Sequence, residues 1–348
     1  MAARKLPSGV NHYGLSKKPY NDFSDGQYVF AANNAINCCK VNIAHYMRNI
    51  QVSLMKTKMN FLFSFACRTS LLLILFWSNT IVYADSSRKH LKIICLNVHG
   101  GVQDEDRYLR LIDFVKWQDP DILCLLELDG WEKNNFSKLR DFLSKTYFVD
   151  GVFEEVNGGH PLALFSKQKL AFRERLEAQM GLGLIHVKVN AGKESVDFYL
   201  THLISKTADA RTHELNRILN YVGRSEFTVL MGDFNSLSPN DPYDNEKLRE
   251  ILRKSGITEF AIDALKKDAV TRLLDSGFKD AAEILDVPFK PTVPTSLSQD
   301  KVYPTELRLD YIFLRGKIVS YLNRYDVIKT VETEFLSDHY PIVAEFEF

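Results

Sequence analysis

Gly232-Asp233-Phe234-Asn235 carries the residue types of a hydrolytic site. It comes directly after the apolar run 226–231, and turn-forming residues follow it. In an extended chain Asp233 and Asn235 point to the same side, and a carboxylate beside an amide can hold a water molecule and a phosphate oxygen together. The segment alone is also typical of an ordinary turn. It is evidence for a hydrolytic site only if the same arrangement recurs elsewhere in the chain.

The arrangement recurs at three other apolar runs, which are followed by Asn97, Glu127 and His202. Each residue singly is compatible with a structural role, as a strand terminus or as a histidine with a local hydrogen bond. Since a rigid sheet commonly presents functional side chains at its strand ends, the recurrence predicts that these residues meet in one site.

Asp310 differs from these residues because it interrupts an apolar run, 307–314, instead of following one. A buried carboxylate needs a partner, although Asp310 could also cap a neighbouring backbone group. An imidazole is the best chemical partner, and His339 in the turn 337–341 fits this role. We therefore predict a pair between His339 and Asp310.

The elements that position these residues mix strands with helices. Strands are predicted over 91–96, 121–126, 161–166, 184–189, 195–200, 226–231, 307–314, 317–328 and 342–346, and helices over 104–118, 131–144, 208–222, 246–254 and 267–276. Because several neighbouring strands look like hairpins, the pattern favours a mixed α/β sandwich over a purely parallel sheet.

Six motifs resemble, in order, those of the endonuclease/exonuclease/phosphatase superfamily, and the resemblance covers residues 92–348. The motifs are Leu96-Asn97-Val98-His99-Gly100, Leu126-Glu127, Thr201-His202-Leu203, Gly232-Asp233-Phe234-Asn235, Arg308-Leu309-Asp310-Tyr311-Ile312 and Ser337-Asp338-His339-Tyr340-Pro341. The resemblance implies a DNase I-like, four-layer α/β sandwich, in which two mixed β-sheets pack face to face with helices outside. It also implies metal-dependent phosphoester hydrolysis by a domain that spans 85–348.

The chemistry of phosphoryl transfer assigns the metal side of this site. The reaction needs charge neutralisation, an aligned water and a stabilised leaving oxygen. Glu127 and Asn97 are expected to hold Mg²⁺, with Mn²⁺ or Ca²⁺ as alternatives, because these hard ions prefer oxygen ligands. Asp338 is expected to assist the metal, directly or through water.

The remaining residues are expected to act on the water and the phosphate. Asp233 would orient and deprotonate the attacking water, while Asn235 and His202 hold phosphate oxygens. His339, oriented by Asp310, would stabilise the developing negative charge.

The sequence leaves the phosphodiester substrate open between a nucleic acid and a phospholipid head group, as in sphingomyelinases. Inositol-polyphosphate phosphatases are disfavoured, because Met231 stands where that branch carries a Trp. A catalytically silent binding module is a further alternative. Four aromatic residues of the connection 240–305 could contact a lipid surface or stack on bases if exposed, or else pack its helices onto the core: Phe260, Phe278, Phe289 and Tyr303.

Basic and acidic residues are unevenly distributed along the chain. Residues 1–84 hold 9 basic and 2 acidic residues, which leaves 35 basic and 42 acidic residues in the remainder. An acidic body argues against a broad electrostatic grip on nucleic acid. It is compatible with a nuclease, because a bound divalent cation supplies positive charge where the phosphate sits.

Residues 55–84 have the pattern of a secretory signal, with a basic start, an apolar centre at 71–77 and a small-residue end. A cleaved signal predicts a secreted, periplasmic or luminal protein. The alternatives are an uncleaved anchor over 61–83, with membrane contact through 61–84, or a buried core helix. Residues 1–54 then form a non-globular extension, and we predict that translation starts downstream of it, at Met55 or Met59.

Of the five cysteines, Cys95 and Cys124 lie inside apolar strands. They are predicted to be small buried hydrophobic residues. The cysteine spacing supports neither a disulfide framework nor a zinc site.

Overall fold

The computed structural model describes residues 89–156, 159–176, 183–260, 265–298 and 303–348. The expected extension 1–54 and the expected signal or anchor 55–84 lie outside these residues. Within the described ranges, every helix is too short or too polar to cross a bilayer.

Strands and helices intermix along the chain, as predicted. The strands are β1 (His90–Asn97), β2 (Ile122–Leu126), β3 (Asp150–Glu154), β4 (Leu162–Ser166), β5 (Phe172–Leu176), β6 (Leu184–Ala191), β7 (Glu194–His202), β8 (Phe227–Asp233), β9 (Lys279–Asp280), β10 (Asp310–Gly316), β11 (Leu322–Val327) and β12 (Ile342–Glu347). The α-helices are α1 (Glu105–Gln118), α2 (Lys133–Lys145), α3 (Ala208–Tyr221), α4 (Asn245–Lys254), α5 (Asp268–Asp275) and α6 (Ala281–Ile284).

The strands form two six-stranded mixed sheets. The first sheet has the order β11-β12-β1-β2-β4-β3, and the second has the order β5-β6-β7-β8-β10-β9. The pairs β1–β2 and β7–β8 are parallel, and the other neighbouring strands are antiparallel. Each sheet therefore has a parallel pair near its centre, whose carboxyl ends lie side by side.

The alternation of side chains along the strands produces the layers. On β1, Leu91, Ile93 and Cys95 lie in the apolar cluster between the two sheets, whereas Ile94 and Leu96 pack on the opposite face with α1 and α2. Strand β8 alternates in the same way, with its outer face against α3 and α5. The order of layers is helix, sheet, sheet, helix, which confirms the predicted four-layer sandwich.

Some elements differ from the prediction. The predicted strand 317–328 is a 3-10 helix, Lys317–Tyr321, followed by β11. Gly316 ends β10 with a φ of 86°, and a Cβ there would lie 2.4 Å from the Glu226 carbonyl oxygen. The chain therefore turns before β11 can begin. Strands β3, β5 and β9 were not predicted, because each is short and carries charged residues that break an apolar pattern.

The connection 240–305 packs mainly onto the core. Phe260 and Phe278 are buried in two separate apolar clusters, so these two rings pack the segment rather than contact a substrate. Tyr303 is half-buried and lies near the ends of the central strands. Cys95 and Cys124 are free and buried, as predicted.

Candidate active site

The carboxyl ends of the two parallel pairs supply one half of the polar side chains. Asn97 is the last residue of β1, and Glu127 directly follows β2. His202 and Asp233 are the last residues of β7 and β8, and they stand opposite one another in the parallel register. The chain thus delivers four predicted residues to one edge of the sandwich.

Antiparallel neighbours bring the other half to the same edge. Asp310 begins β10 and lies opposite Asp233 in the register of β8 and β10. His339 lies shortly before β12, which runs antiparallel to β1. An antiparallel strand begins where its neighbour ends, so residues more than 200 positions apart in sequence meet at this edge.

The backbone is specialised where these strands end. Gly232 has a φ of 144°, and a Cβ at this position would lie 1.7 Å from the Thr201 carbonyl oxygen. Only glycine allows β8 to approach β7 this closely. Glu127 and Asn235 adopt left-handed φ angles of 58° and 46°. Such a conformation is strained for a glutamate and is commonly kept at functional positions.

His339 and Asp310 form the predicted pair. The Nδ1 atom of His339 lies 2.8 Å from Asp310 Oδ2, and both residues are buried. Burial alone would lower the pKa of His339, but the charge of Asp310 and this hydrogen bond raise it well above its usual value. The pair fixes the ring so that Nε2 faces Asp233 Oδ2 at 3.8 Å.

Asp233 lies between two imidazoles. Its Oδ2 is 3.5 Å from His202 Nε2 and accepts a hydrogen bond from Asn97 Nδ2 at 3.2 Å. Burial and the neighbouring charge of Asp310 raise the pKa of Asp233 to about 8. A carboxylate in this condition is a stronger base than an ordinary aspartate.

His202 and Asn235 form a second polar contact beside Asp233. Asn235 Nδ2 donates to the Leu203 carbonyl oxygen at 2.8 Å and lies 3.1 Å from His202 Nε2, which accepts. Burial lowers the pKa of His202 to about 4, so the imidazole is neutral near pH 7. The backbone N–H of Asn235 also donates to Asp233 Oδ1 at 2.8 Å, which ties the two motif residues together.

Glu127 is held as a carboxylate at the more open side of the site. Its Oε1 accepts from Asn97 Nδ2 at 2.9 Å, and its Oε2 accepts from Gly100 N at 3.1 Å. Burial alone would raise the pKa of Glu127, but the charge of His202 and the Asn97 hydrogen bond lower it to about 2. Glu127 is therefore ionised at any ordinary pH.

The other two predicted metal ligands are arranged differently. Asn97 Oδ1 accepts from His99 N at 3.0 Å, and its Nδ2 faces Glu127 and Asp233, so a direct contact between Asn97 and a metal beside these carboxylates would require its amide to turn over. Asp338 Oδ2 lies 3.2 Å from His99 Nδ1. Asp338 is joined to the site through its neighbour Ser337, whose hydroxyl donates to the Asn97 carbonyl oxygen at 2.6 Å.

The donor set fits a hard divalent cation. The carboxylates of Glu127, Asp233 and Asp310 make their ion pairs, among the described residues, with histidines. Asp310 Oδ1 is buried without a hydrogen-bond partner in this part of the chain. Oxygen ligands with excess negative charge suit Mg²⁺ and Ca²⁺ better than softer metals.

Two residues of the site, Asp129 and His160, were not predicted from the sequence. His160 Nδ1 lies 2.8 Å from Asp129 Oδ2, and the His160 ring is 6.1 Å from that of His202. Together with Glu127 they form a half-buried cluster whose possible ligand atoms lie within 4.8 Å of one another. Asp129 could have been found from its spacing, because it lies two residues after Glu127 at the end of a strand, as Asn235 lies two residues after Asp233.

Comparison with known proteins identifies the family. The sequence pattern of the Endonuclease/Exonuclease/phosphatase family matches residues 94–339. The chain therefore belongs to this family, whose members are phosphoesterases that generally depend on divalent metals. A search of curated proteins found no match.

Solved structures share the fold at low sequence identity. An AP endonuclease from Archaeoglobus fulgidus is 23% identical, with a TM-score of 0.57 over 74% of this chain and 99% of its own. D. rerio TDP2 complexed with a single-strand DNA product is 19% identical, with a TM-score of 0.51 over 74% and 98%. A family protein from Leptotrichia buccalis is 18% identical, with a TM-score of 0.53 over 74% and 100%. These likenesses confirm the DNase I-like fold.

Proposed function

We propose that this protein is a Mg²⁺-dependent phosphodiesterase that cleaves nucleic acid by direct attack of water. The observation that carries the proposal is the position of Asp233 between His202 and His339, with His339 held from behind by Asp310. This arrangement supports the assignment of Asp233 as a base, His202 as a phosphate-binding group and His339 as a cationic imidazole.

Asp233 acts as the general base for the water. Its raised pKa makes its ionised form a stronger proton acceptor than an ordinary aspartate, and Asn97 and the Asn235 N–H hold its two oxygens in place. No covalent intermediate is needed, because the base is a carboxylate and the nucleophile is water.

The phosphate is held from two sides. When phosphate binds, the contact between Asn235 Nδ2 and His202 Nε2 opens, so that Nδ2 and the Nε2–H tautomer of neutral His202 donate to non-bridging oxygens. The His339 imidazolium donates to the oxygen on which negative charge develops. Asp310 keeps this imidazolium in position, which is a positioning role.

Glu127 would hold Mg²⁺, with Asn97 supporting the carboxylate and Asp338 assisting through water. When bound, the ion polarises the phosphate and neutralises the departing oxygen. Its affinity is expected to depend mostly on Glu127, because this carboxylate is ionised and partly exposed.

A nucleic-acid substrate is supported by the neighbour that holds single-stranded DNA. The burial of Phe260 and Phe278 removes two aromatic residues that could have contacted either a lipid or a base, so these two rings do not distinguish the substrates. The test is a panel of single-stranded DNA, supercoiled DNA, RNA and sphingomyelin, with Mg²⁺ and with chelator. Mg²⁺-dependent cleavage of a nucleic acid is the expected result, whereas phosphocholine release alone would select the lipid phosphodiesterase. Absence of any turnover would favour a catalytically silent binding module.

We also propose, from residues 55–84, that the protein acts outside the cytoplasm. N-terminal sequencing of the mature protein tests this proposal. A start just after Ala84 is the expected result, and a start at Ala2 would contradict it.

A further inference from the structure

Tyr303 borders the reaction volume but has no part in the mechanism above. Its hydroxyl oxygen lies 3.3 Å from His339 Nε2, the nitrogen that faces Asp233. The two rings meet edge to face, with centroids 5.8 Å apart and an interplanar angle of 87°. The hydroxyl is therefore directed at the reactive nitrogen of His339 and not merely near its ring.

The position of Tyr303 is fixed by packing. Its ring packs against the apolar cluster that contains Leu307, Leu309 and Phe260. Leu309 adjoins Asp310, and the Leu309 carbonyl oxygen accepts from Phe234 N, within the Asp233 motif. Tyr303 thus packs against residues that adjoin the catalytic carboxylates in the chain. Its hydroxyl is therefore held in place before substrate binds.

His339 Nε2 cannot donate a hydrogen bond to a substrate and to the Tyr303 hydroxyl at the same time. Its Nδ1 is committed to Asp310, so Nε2 has a single hydrogen to donate. Once that hydrogen points to a phosphate oxygen, the Tyr303 hydroxyl loses its donor. The same oxygen lies within its reach, because both groups border one space.

The phenol is suited to donate. Burial, followed by the charges of Asp233 and Asp338, raises the pKa of Tyr303, so the hydroxyl keeps its proton at every pH at which the enzyme works. A neutral donor aimed at a developing negative charge stabilises the transition state more than the ground state.

Building on the proposed function, we propose that Tyr303 is a further catalytic residue, whose hydroxyl donates to the phosphate oxygen that also accepts from His339 Nε2. The imidazole N–H of His339 and the phenol O–H of Tyr303 then converge on one oxygen, as the donors of an oxyanion hole do.

The test is Tyr303→Phe, which removes the hydroxyl and leaves the ring packing. Tyr243→Phe is the matched control, because Tyr243 packs against the same cluster and its hydroxyl accepts from Arg308 N, away from His339. With Mg²⁺ and a cleaved substrate, we expect Tyr303→Phe to lower kcat by about 10- to 100-fold with little change in KM. The control should keep wild-type kcat.

A second measurement separates this inference from the proposed function. Binding of inorganic phosphate to the Mg²⁺-loaded proteins is followed by calorimetry. Weaker phosphate binding by Tyr303→Phe, with unchanged binding by Tyr243→Phe, supports the inference even if the wild type cleaves none of the substrates. Wild-type values of kcat or, where turnover is absent, of phosphate affinity in Tyr303→Phe would overturn it. A wild-type protein that binds no phosphate would overturn it too.

Discussion

Two clusters of the same composition lie in this site, and Asn97 Nδ2 contacts a carboxylate of each. Asp233, Asp310 and His339 form one, and Glu127, Asp129 and His160 form the other. Each has two carboxylates and one imidazole, whose possible ligand atoms lie within 4.8 Å of one another. The first cluster is buried and the second is half-buried. Since composition is equal, the difference between them shows what burial does to the same chemistry.

Burial strengthens every interaction in the first cluster. Two like charges about 4 Å apart repel by roughly 4 kcal/mol at the effective dielectric constant of a protein, against roughly 1 kcal/mol in water. The buried Asp233 responds with a raised pKa, whereas Glu127 in the other cluster is fully ionised. The buried cluster is suited to moving protons, and the half-buried cluster is suited to an ion that enters from solvent.

The largest expected effect is on the buried base. Asp233→Asn removes the proton acceptor and keeps the shape, so kcat should fall by about 10²- to 10⁴-fold. His90→Gln is the control, because His90 and Glu345 form a histidine–carboxylate pair at the opposite end of β1. Turnover by Asp233→Asn within a few-fold of the control would contradict its role.

The next effect compares the two carboxylates that orient a histidine. Asp310→Asn leaves the buried His339 without its charged partner, and we expect kcat to fall about 100-fold or more. Asp129→Asn changes the half-exposed pair with His160, and solvent should limit the loss to less than about tenfold. Single-turnover rates of the two variants measure the difference. Equal losses would show that burial does not separate the two clusters.

A smaller, more specific effect is expected for the ion. Glu127→Gln can keep the hydrogen bond to Gly100 but removes the charge and the acceptor of Asn97 Nδ2, so half-maximal activity should need about 10- to 100-fold more Mg²⁺. A magnesium titration of wild type and variant measures this shift, with saturating Mg²⁺ restoring part of kcat. An unchanged midpoint would place the ion elsewhere.

The smallest effect is on stability, and it depends on pH. In the metal-free folded protein Asp233 keeps its proton to about pH 8, whereas the unfolded chain releases it near pH 4. Between these values the folded state binds more protons, so its stability falls as pH rises. His339, with a raised pKa, acts in the same direction. Denaturant unfolding with chelator should show a smaller loss of stability from pH 5 to pH 8 for Asp233→Asn than for wild type.

The sequence predicts the core of this site well because its residues stand at strand ends. Asp233, His202 and Asn97 follow apolar runs, and the buried Asp310 required a partner that His339 supplies. The structure brings these residues together as expected. Their roles stay predictions until variants are assayed.

The features that could not be predicted from the sequence lie in loops and in edge strands. His160 precedes β4 after a glycine pair, and no strand exit marks it. Tyr303 reaches His339 only through the packing of a long connection whose path no local pattern fixes. Strand β5 has the sequence Phe172-Arg173-Glu174-Arg175-Leu176 at a sheet edge, where its charged side chains hydrogen-bond to neighbouring segments and hide the strand pattern.

The most direct test of the account is a crystal structure of the protein with Mg²⁺ and inorganic phosphate. We expect the ion on the Glu127 carboxylate, with the phosphate against His202, Asn235 and His339 and within hydrogen-bond distance of the Tyr303 hydroxyl. An ion or phosphate bound away from these side chains, in a protein that cleaves phosphodiesters, would contradict it.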